Sequence, residues 1–153
     1  MTPRLSGSCF CRGIRYEVAG PLHGVVHCHC STCRKAQGAA FRTRAGVRRS
    51  DFRWVQGEEL LSGYESSPGN RRTFCRVCGS PLASFFADHP AWVGLALGTL
   101  DDDPGVRPAA HVFVGSKAPW YAIADDLPQY EAMPPTRGDS ATETRRREGG
   151  ERG

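Results

Sequence analysis

The chain reads as a mainly β protein with little helix, made of short strands and stapled by metal. Three observations lead there. Its seven cysteines, all there are in 153 residues, fall into tight clusters: Cys9-x-Cys11, Cys28-His-Cys30-x-x-Cys33 and Cys75-x-x-Cys78. Apolar residues alternate over short runs, and no 12-residue stretch holds a 3.6 period. Glycine (18) and proline (11) punctuate the chain closely enough to keep elements short. Seven thiols are an odd number, and pairs one or two residues apart cannot staple distant parts of a fold as disulfides. Zinc explains the spacing better, because a tight turn can present two sulfurs to one tetrahedral ion.

The elements follow in order. Ile14, Tyr16 and Val18 alternate with Arg15 and Glu17, the signature of a half-buried strand. Further strands are predicted at Val25–Cys28, Phe52–Val55, Arg72–Phe74, Leu82–Phe86, Trp92–Leu97 and His111–Val114. One helical turn is expected, Ser31 to Gln37, before Gly38. Asp101-Asp102-Asp103-Pro104-Gly105 reads as a solvated turn. Cys9 and Cys11, placed on a strand, would face the same side through period-two alternation. Cys75-Arg-Val-Cys78-Gly79 reads as a zinc knuckle, with Gly79 supplying a positive φ at its exit.

Composition sets further bounds. A hydrophobic fraction of 39% is low for a self-sufficient core, and a structural zinc could add roughly 10–16 kcal/mol. The opening Met-Thr-Pro-Arg-Leu-Ser-Gly lacks the apolar stretch of a signal peptide, and the run from Trp92 to Leu100 is too short to span a bilayer. Reduced thiols with no membrane segment predict a cytoplasmic protein. The final residues, 132–153, read as a disordered polar tail, too poor in apolar groups to order themselves. Residues 131–153 sum to zero charge, so the net charge of +4 lies in residues 1–130 and includes Arg12, Arg15, Arg34 and Lys35 beside the cysteines. No basic stripe with interleaved aromatics is present, so nucleic-acid binding is not expected.

Two groupings of the thiols compete. Cys30, Cys33, Cys75 and Cys78 could form a ribbon-like site, stranding the other three. Alternatively Cys9, Cys11, Cys75 and Cys78 share one ion and Cys28, Cys30 and Cys33 another, which uses every thiol. Four plus three suggests one closed site and one with a vacant corner, the usual arrangement of catalytic zinc. A fourth ligand that is itself soft, such as a substrate thiolate, suits a three-thiolate zinc.

Gly-Ser-Cys9-Phe-Cys11-Arg-Gly-Ile-Arg-Tyr, then Cys28-His-Cys30-Ser-Thr-Cys33-Arg-Lys, then Phe74-Cys75-x-x-Cys78-Gly-Ser resembles the glutathione-dependent formaldehyde-activating enzyme (GFA) family, also named for centromere protein V. His111-Val-Phe-Val-Gly-Ser-Lys117-Ala-Pro-Trp120 and Asp125-Asp-Leu-Pro-Gln-Tyr130 resemble its C-terminal signature. The resemblance implies a β-tent fold of short antiparallel sheets over a GFA-type zinc-binding domain, residues 1–131. It implies two zinc ions: a structural one on Cys9, Cys11, Cys75 and Cys78, and a catalytic-type one on Cys28, Cys30 and Cys33. It also implies a carbon–sulfur lyase related to S-(hydroxymethyl)glutathione synthase, which joins formaldehyde to glutathione, with a small-molecule thiol as the partner.

Other residues are weaker candidates. Arg34 and Lys35 could attract the carboxylates of a glutathione-like substrate. His111 and Lys117 are candidate substrate contacts. His29, alternating away from its cysteine neighbours, is assigned to core or hydrogen-bonding duty, and Trp120 to the core. The competing class is a non-catalytic zinc module that binds a thiol or a macromolecular partner.

Overall fold

The computed structural model describes residues 4–134. It is mainly β, with ten strands: β1 (Leu5–Ser8), β2 (Arg15–Val18), β3 (His23–Cys28), β4 (Arg42–Arg48), β5 (Phe52–Gln56), β6 (Leu61–Ser67), β7 (Asn70–Cys75), β8 (Pro81–Phe86), β9 (Trp92–Ala96) and β10 (His111–Val112). The one α-helix among the described residues, α1 (Ser31–Gln37), occupies the predicted span. The expected polar tail lies, past Pro134, outside the described residues. At its start the carbonyls of Glu131 and Ala132 still accept from the amides of Gly115 and Phe113.

The described residues form two compact units: those up to Val25 with Arg44–Arg107, and Val26–Thr43 with those from Pro108 to Pro134. In the first unit, β1, β2 and β5 make a three-stranded antiparallel sheet. A second antiparallel run follows the order β4, β9, β8, β7, β6. Both bury one shared core that includes Ile14, Tyr16, Val18, Val47, Phe52, Leu82, Val93 and Leu95. Two of the cysteines, Cys9 and Cys75, belong to that same core.

Alternation puts Leu5 and Gly7 of β1 on the inner face. Gly7 has to be glycine: a Cβ there would sit 2.0 Å from Cζ of Tyr16. The Tyr16 ring lies across the bare backbone, stacks on Phe52 at 5.4 Å and meets Trp54 edge-on. Its hydroxyl pairs with that of Thr99 at 2.7 Å. The three aspartates after β9 are exposed, as expected of a turn, but they are not idle. Asp101 accepts from the Ser8 hydroxyl, Asp102 from the Ser6 amide, and Asp103 pairs with Arg107.

The second unit is smaller. β10 pairs in parallel with the end of β3, His111 opposite His27 and Val112 opposite Cys28. Its apolar cluster comprises Val26, Ala110, Val112 and the three central cysteines, with Phe113 and Tyr130 against it. Trp120, expected in the core, is 72% exposed. It follows Pro119 in a loop that buries Ala118 instead, so the ring stands largely in solvent, edge-on to Tyr121 at 6.5 Å.

Candidate metal centres and a buried histidine chain

The structure gathers the seven thiols into two groups, one in each unit. The sulfurs of Cys9, Cys11, Cys75 and Cys78 lie within 4.8 Å of one another, and so do those of Cys28, Cys30 and Cys33. In the first group Cys9 and Cys11 are 3.6 Å apart, and Cys11 and Cys75 are 3.8 Å apart. Sulfurs held about 2.3 Å from a tetrahedral zinc would be about 3.8 Å apart, whereas a disulfide would require about 2.05 Å. The spacing therefore suits a shared cation.

Local backbone structure builds this four-thiol cluster. Cys9 and Cys11 do not sit on a strand, contrary to the sequence expectation. β1 ends at Ser8, and a tight turn follows in which the Arg12 amide bonds the Cys9 carbonyl at 3.0 Å. It is the turn, not strand alternation, that brings both sulfurs together, and it forces Arg12 to a φ of 63°. The Ile14 amide donates to the Cys9 sulfur at 3.3 Å. Across from it, Gly79 takes a φ of 80° and its amide bonds the Cys75 carbonyl, closing the predicted knuckle.

In the second group, Cys30 caps α1, its sulfur accepting from the Cys33 amide at 3.3 Å. All three thiols are buried. Among the described residues no fourth cysteine, histidine or carboxylate joins them at that distance.

Proximity shifts the titration of thiols in both groups. In the first, hydrogen bonding to Cys9, with burial, raises Cys11 to about 11 against the lowering pull of the Gly13 amide. Burial opposes ionisation of Cys78 as well. Hydrogen bonds from Ser80, Cys11 and Cys75 nevertheless hold its thiol down to about 5. In the second, hydrogen bonding to Cys30 and Cys33, together with burial, pushes Cys28 far up. A soft divalent ion is the natural partner of such a set of closely packed sulfur donors.

Behind the second group runs a chain of buried polar side chains. His29 Nε2 lies 2.8 Å from His111 Nδ1, and His111 Nε2 lies 2.9 and 3.1 Å from the two oxygens of Asp125. Both rings are fully buried, whereas the Asp125 side chain is 45% exposed. His27, Phe41 and Tyr121 pack around them. Burial pulls His29 down to about 4, helped by the charges of His111, His27 and Lys117, and the Ala40 carbonyl does not offset this. The hydrogen bond from His111, with one from the Leu127 amide, holds the Asp125 carboxyl below its usual range.

The remaining candidates are placed as follows. Arg34 and Lys35 fall in the last turn of α1; Arg34 Nε donates to the Ser116 carbonyl at 3.2 Å, and Lys35 is exposed. Lys117 is half-buried, its ammonium donating to the carbonyls of Ala118 and Tyr121. His111 is joined to His29, as the assignment of His29 to hydrogen bonding anticipated. Asp125 was not singled out by sequence reasoning, although the Asp125–Tyr130 segment was visible as part of a signature. A groove of about 390 Å³, lined by Arg49, Arg71, Phe85, Phe86 and Trp92 among others, contains none of the cysteines.

Residues 4–116 match the family model described as glutathione-dependent formaldehyde-activating enzyme. A Halomonas elongata protein named "Putative glutathione-dependent formaldehyde-activating enzyme" is 32% identical over 127 residues, covering 78% of this chain and 80% of that one. An uncharacterized lyase of Schizosaccharomyces pombe is 29% identical over 80 residues, covering 52% and 56% of the two chains. The crystal structure of a Rhodobacter sphaeroides protein superposes with a TM-score of 0.54 at 32% identity, covering 67% of this chain and 91% of that one.

Proposed function

This chain belongs to the glutathione-dependent formaldehyde-activating enzyme family, and from that premise we propose that it is a zinc-dependent carbon–sulfur lyase. Its substrate is the adduct of a glutathione-like thiol with a small aldehyde or related electrophile. The observation that carries this reading is the three-thiol group, Cys28, Cys30 and Cys33, buried and lacking a fourth protein donor among the described residues. The four-thiol group serves as the structural site, since it is complete and two of its members lie in the core.

Zinc held by three thiolates would supply a soft acceptor with an open position, suited to a substrate sulfur. In the synthetic direction a carbon–sulfur bond forms between thiol and aldehyde carbon, and the thiol proton ends on the former carbonyl oxygen. The lyase direction reverses both. Cys28, Cys30 and Cys33 hold the ion. Arg34 and Lys35, at the end of the helix that begins beside Cys30, favour the carboxylates of an anionic thiol. Lys117 remains a candidate substrate contact, whereas His111, fully buried with both ring nitrogens paired, acts through the ring of His29 instead. Residues 1–131 form the working domain of a cytoplasmic protein.

Substituting Co²⁺ for the metal and adding glutathione tests the reading. A fourth sulfur should intensify the thiolate-to-cobalt absorption, and Cys33→Ser should abolish the change. The protein should also speed the exchange of ¹³C-formaldehyde with its glutathione adduct, read by NMR. A cobalt spectrum indifferent to millimolar glutathione, with no gain in exchange, would leave the non-catalytic zinc module as the better account.

A further inference from the structure

We propose that Asp125 and His111 are positioning residues for the three-thiol centre, acting through the ring of His29 to set where Cys28 and Cys30 present their sulfurs. The inference rests on reading Cys28, Cys30 and Cys33 as a metal site.

The geometry concentrates on one residue. His29 lies between two of the three thiols, so its Cα position and ring orientation constrain both neighbours. β10 grips it twice. Its backbone amide donates to the Val112 carbonyl at 2.9 Å, and its ring meets His111 Nδ1 at 2.8 Å. The residue before Cys28 is held by the residue leading into the same strand, the His27 amide bonding the Ala110 carbonyl at 3.0 Å. β10 is only two residues long, too short to be stable alone. It is held from the far side, where the His111 amide donates to Pro128, the Tyr130 amide to His111, and Asp125 reaches the ring.

The order of hydrogen bonds has a direction. An ionised carboxylate only accepts, so His111 Nε2 must carry a proton toward Asp125. A chain with one proton on each ring then has His29 Nε2 donating to His111 Nδ1. Asp125 thereby selects the tautomer and orientation of a ring two residues' links away, as outer partners do for metal-ligating histidines. A core that needed only filling would have been served by apolar rings at lower desolvation cost. Two fully buried imidazoles aligned end to end on a half-exposed carboxylate indicate alignment rather than filling.

The test uses the full chain loaded with two zinc equivalents and a chromophoric chelator that removes them in two steps. Asp125→Ala, at the exposed end of the chain, should raise the dissociation constant of the weaker-held ion by about 10–100-fold and leave the tighter ion unchanged. His111→Ala should do the same. His111→Asn should recover part of the loss, because its amide oxygen can take the place of Nδ1 and accept from His29. In ¹⁵N-histidine spectra His29 should carry its proton on Nε2 in the native protein and populate both tautomers in Asp125→Ala. Unchanged release of the weaker ion in Asp125→Ala, or equal loss of both ions, would overturn the proposal. Cys33→Ser separates this from the underlying reading. If that variant still binds two ions, the three-thiol site itself is wrong; if it binds one while Asp125→Ala releases normally, only the positioning role fails.

Discussion

The two thiol groups are made from the same residue type by different means. The four-thiol group is framed by two turns, and Cys9 and Cys75 share a core with Ile14, Tyr16, Phe52, Leu82 and Leu95. The three-thiol group belongs to a cluster of six buried residues, of which half are the cysteines themselves. Its other support is polar: two buried histidines and an aspartate. The first group offers four thiols embedded in apolar packing. The second offers three among the described residues, with a hydrogen-bonded chain of polar side chains beside it. A site that must exchange a ligand needs its remaining donors held by something other than a fourth donor.

The largest expected effect comes from exchanging damage between the groups. Cys75→Ser or Cys9→Ser should unfold the first unit, because a closed zinc site contributes about 10–16 kcal/mol in small peptides, against a typical net stability of about 5–15 kcal/mol. Cys30→Ser should leave the first unit's cooperative unfolding in place and remove only the weaker-held metal. Circular dichroism melts with metal analysis distinguish these outcomes. Equal unfolding by both classes of variant would erase the contrast between staple and working site.

A smaller effect tests the apolar support of the first site alone. Gly7→Ala places a methyl group inside the Tyr16 ring, and that ring cannot retreat because Phe52, Trp54 and Thr99 hold it. Overpacking of this kind costs about 1–3 kcal/mol. The midpoint of thermal unfolding should fall, while chelator release of the weaker ion should not change. A rise in that release would mean that the two sites do not respond independently.

Much of this architecture was legible in the sequence, for reasons that differ by region. α1 was readable because its span lies between the central cysteines and Gly38, which acts locally as a stop; the Cys30 cap came only with the structure. β2, β5, β8 and β9 carry Tyr16, Phe52, Leu82 and Val93 in patterns that declare their buried faces. β1, β4 and β6 were not predicted. Their sequences, Leu-Ser-Gly-Ser, Arg-Thr-Arg-Ala-Gly-Val-Arg and Leu-Ser-Gly-Tyr-Glu-Ser-Ser, hold too little apolar alternation to stand out. They are strands because neighbours supply what they lack: Tyr16 fills the face of Gly7, and β7 pairs along β6. The candidate ligands were visible from spacing. The link from Asp125 to His29 was not, since it joins residues 96 positions apart through a third, and no local pattern records such a contact.

Alkaline stability gives a finer test of the first unit. Burial holds the Tyr16 phenol well above its ordinary value of 10.0, with the charge of Asp101 adding and the Thr99 hydrogen bond opposing. The folded protein therefore keeps a proton that the unfolded chain releases, and stability should decline as pH rises past about 10. Tyr16→Phe should lose about 1 kcal/mol at neutral pH with the Thr99 bond and should flatten that alkaline decline. Urea unfolding at neutral pH and near pH 10.5 measures both. An unchanged slope would mean that another group governs the alkaline limb.

The smallest effect concerns the second unit's charge. Arg34 is half-buried and spends one donor on Ser116, which leaves the rest of its guanidinium to act on an anionic ligand. Its charge should matter as a partly screened attraction, of the order of 0.2–1 kcal/mol, or about 1.4- to 5-fold in affinity. Arg34→Ala should weaken glutathione by that factor and leave a neutral thiol such as 2-mercaptoethanol unaffected, both read from the cobalt spectrum. The difference should shrink as salt is raised, since a Debye length near 10 Å at 0.1 M falls to about 3 Å at 1 M. Equal weakening of both thiols would point to the lost Ser116 bond instead, and Arg34 would then be a support for the helix rather than a contact for the substrate. Arg34→Lys separates the two: it keeps the charge without the planar donor set, so it should restore the preference for glutathione if attraction is the cause.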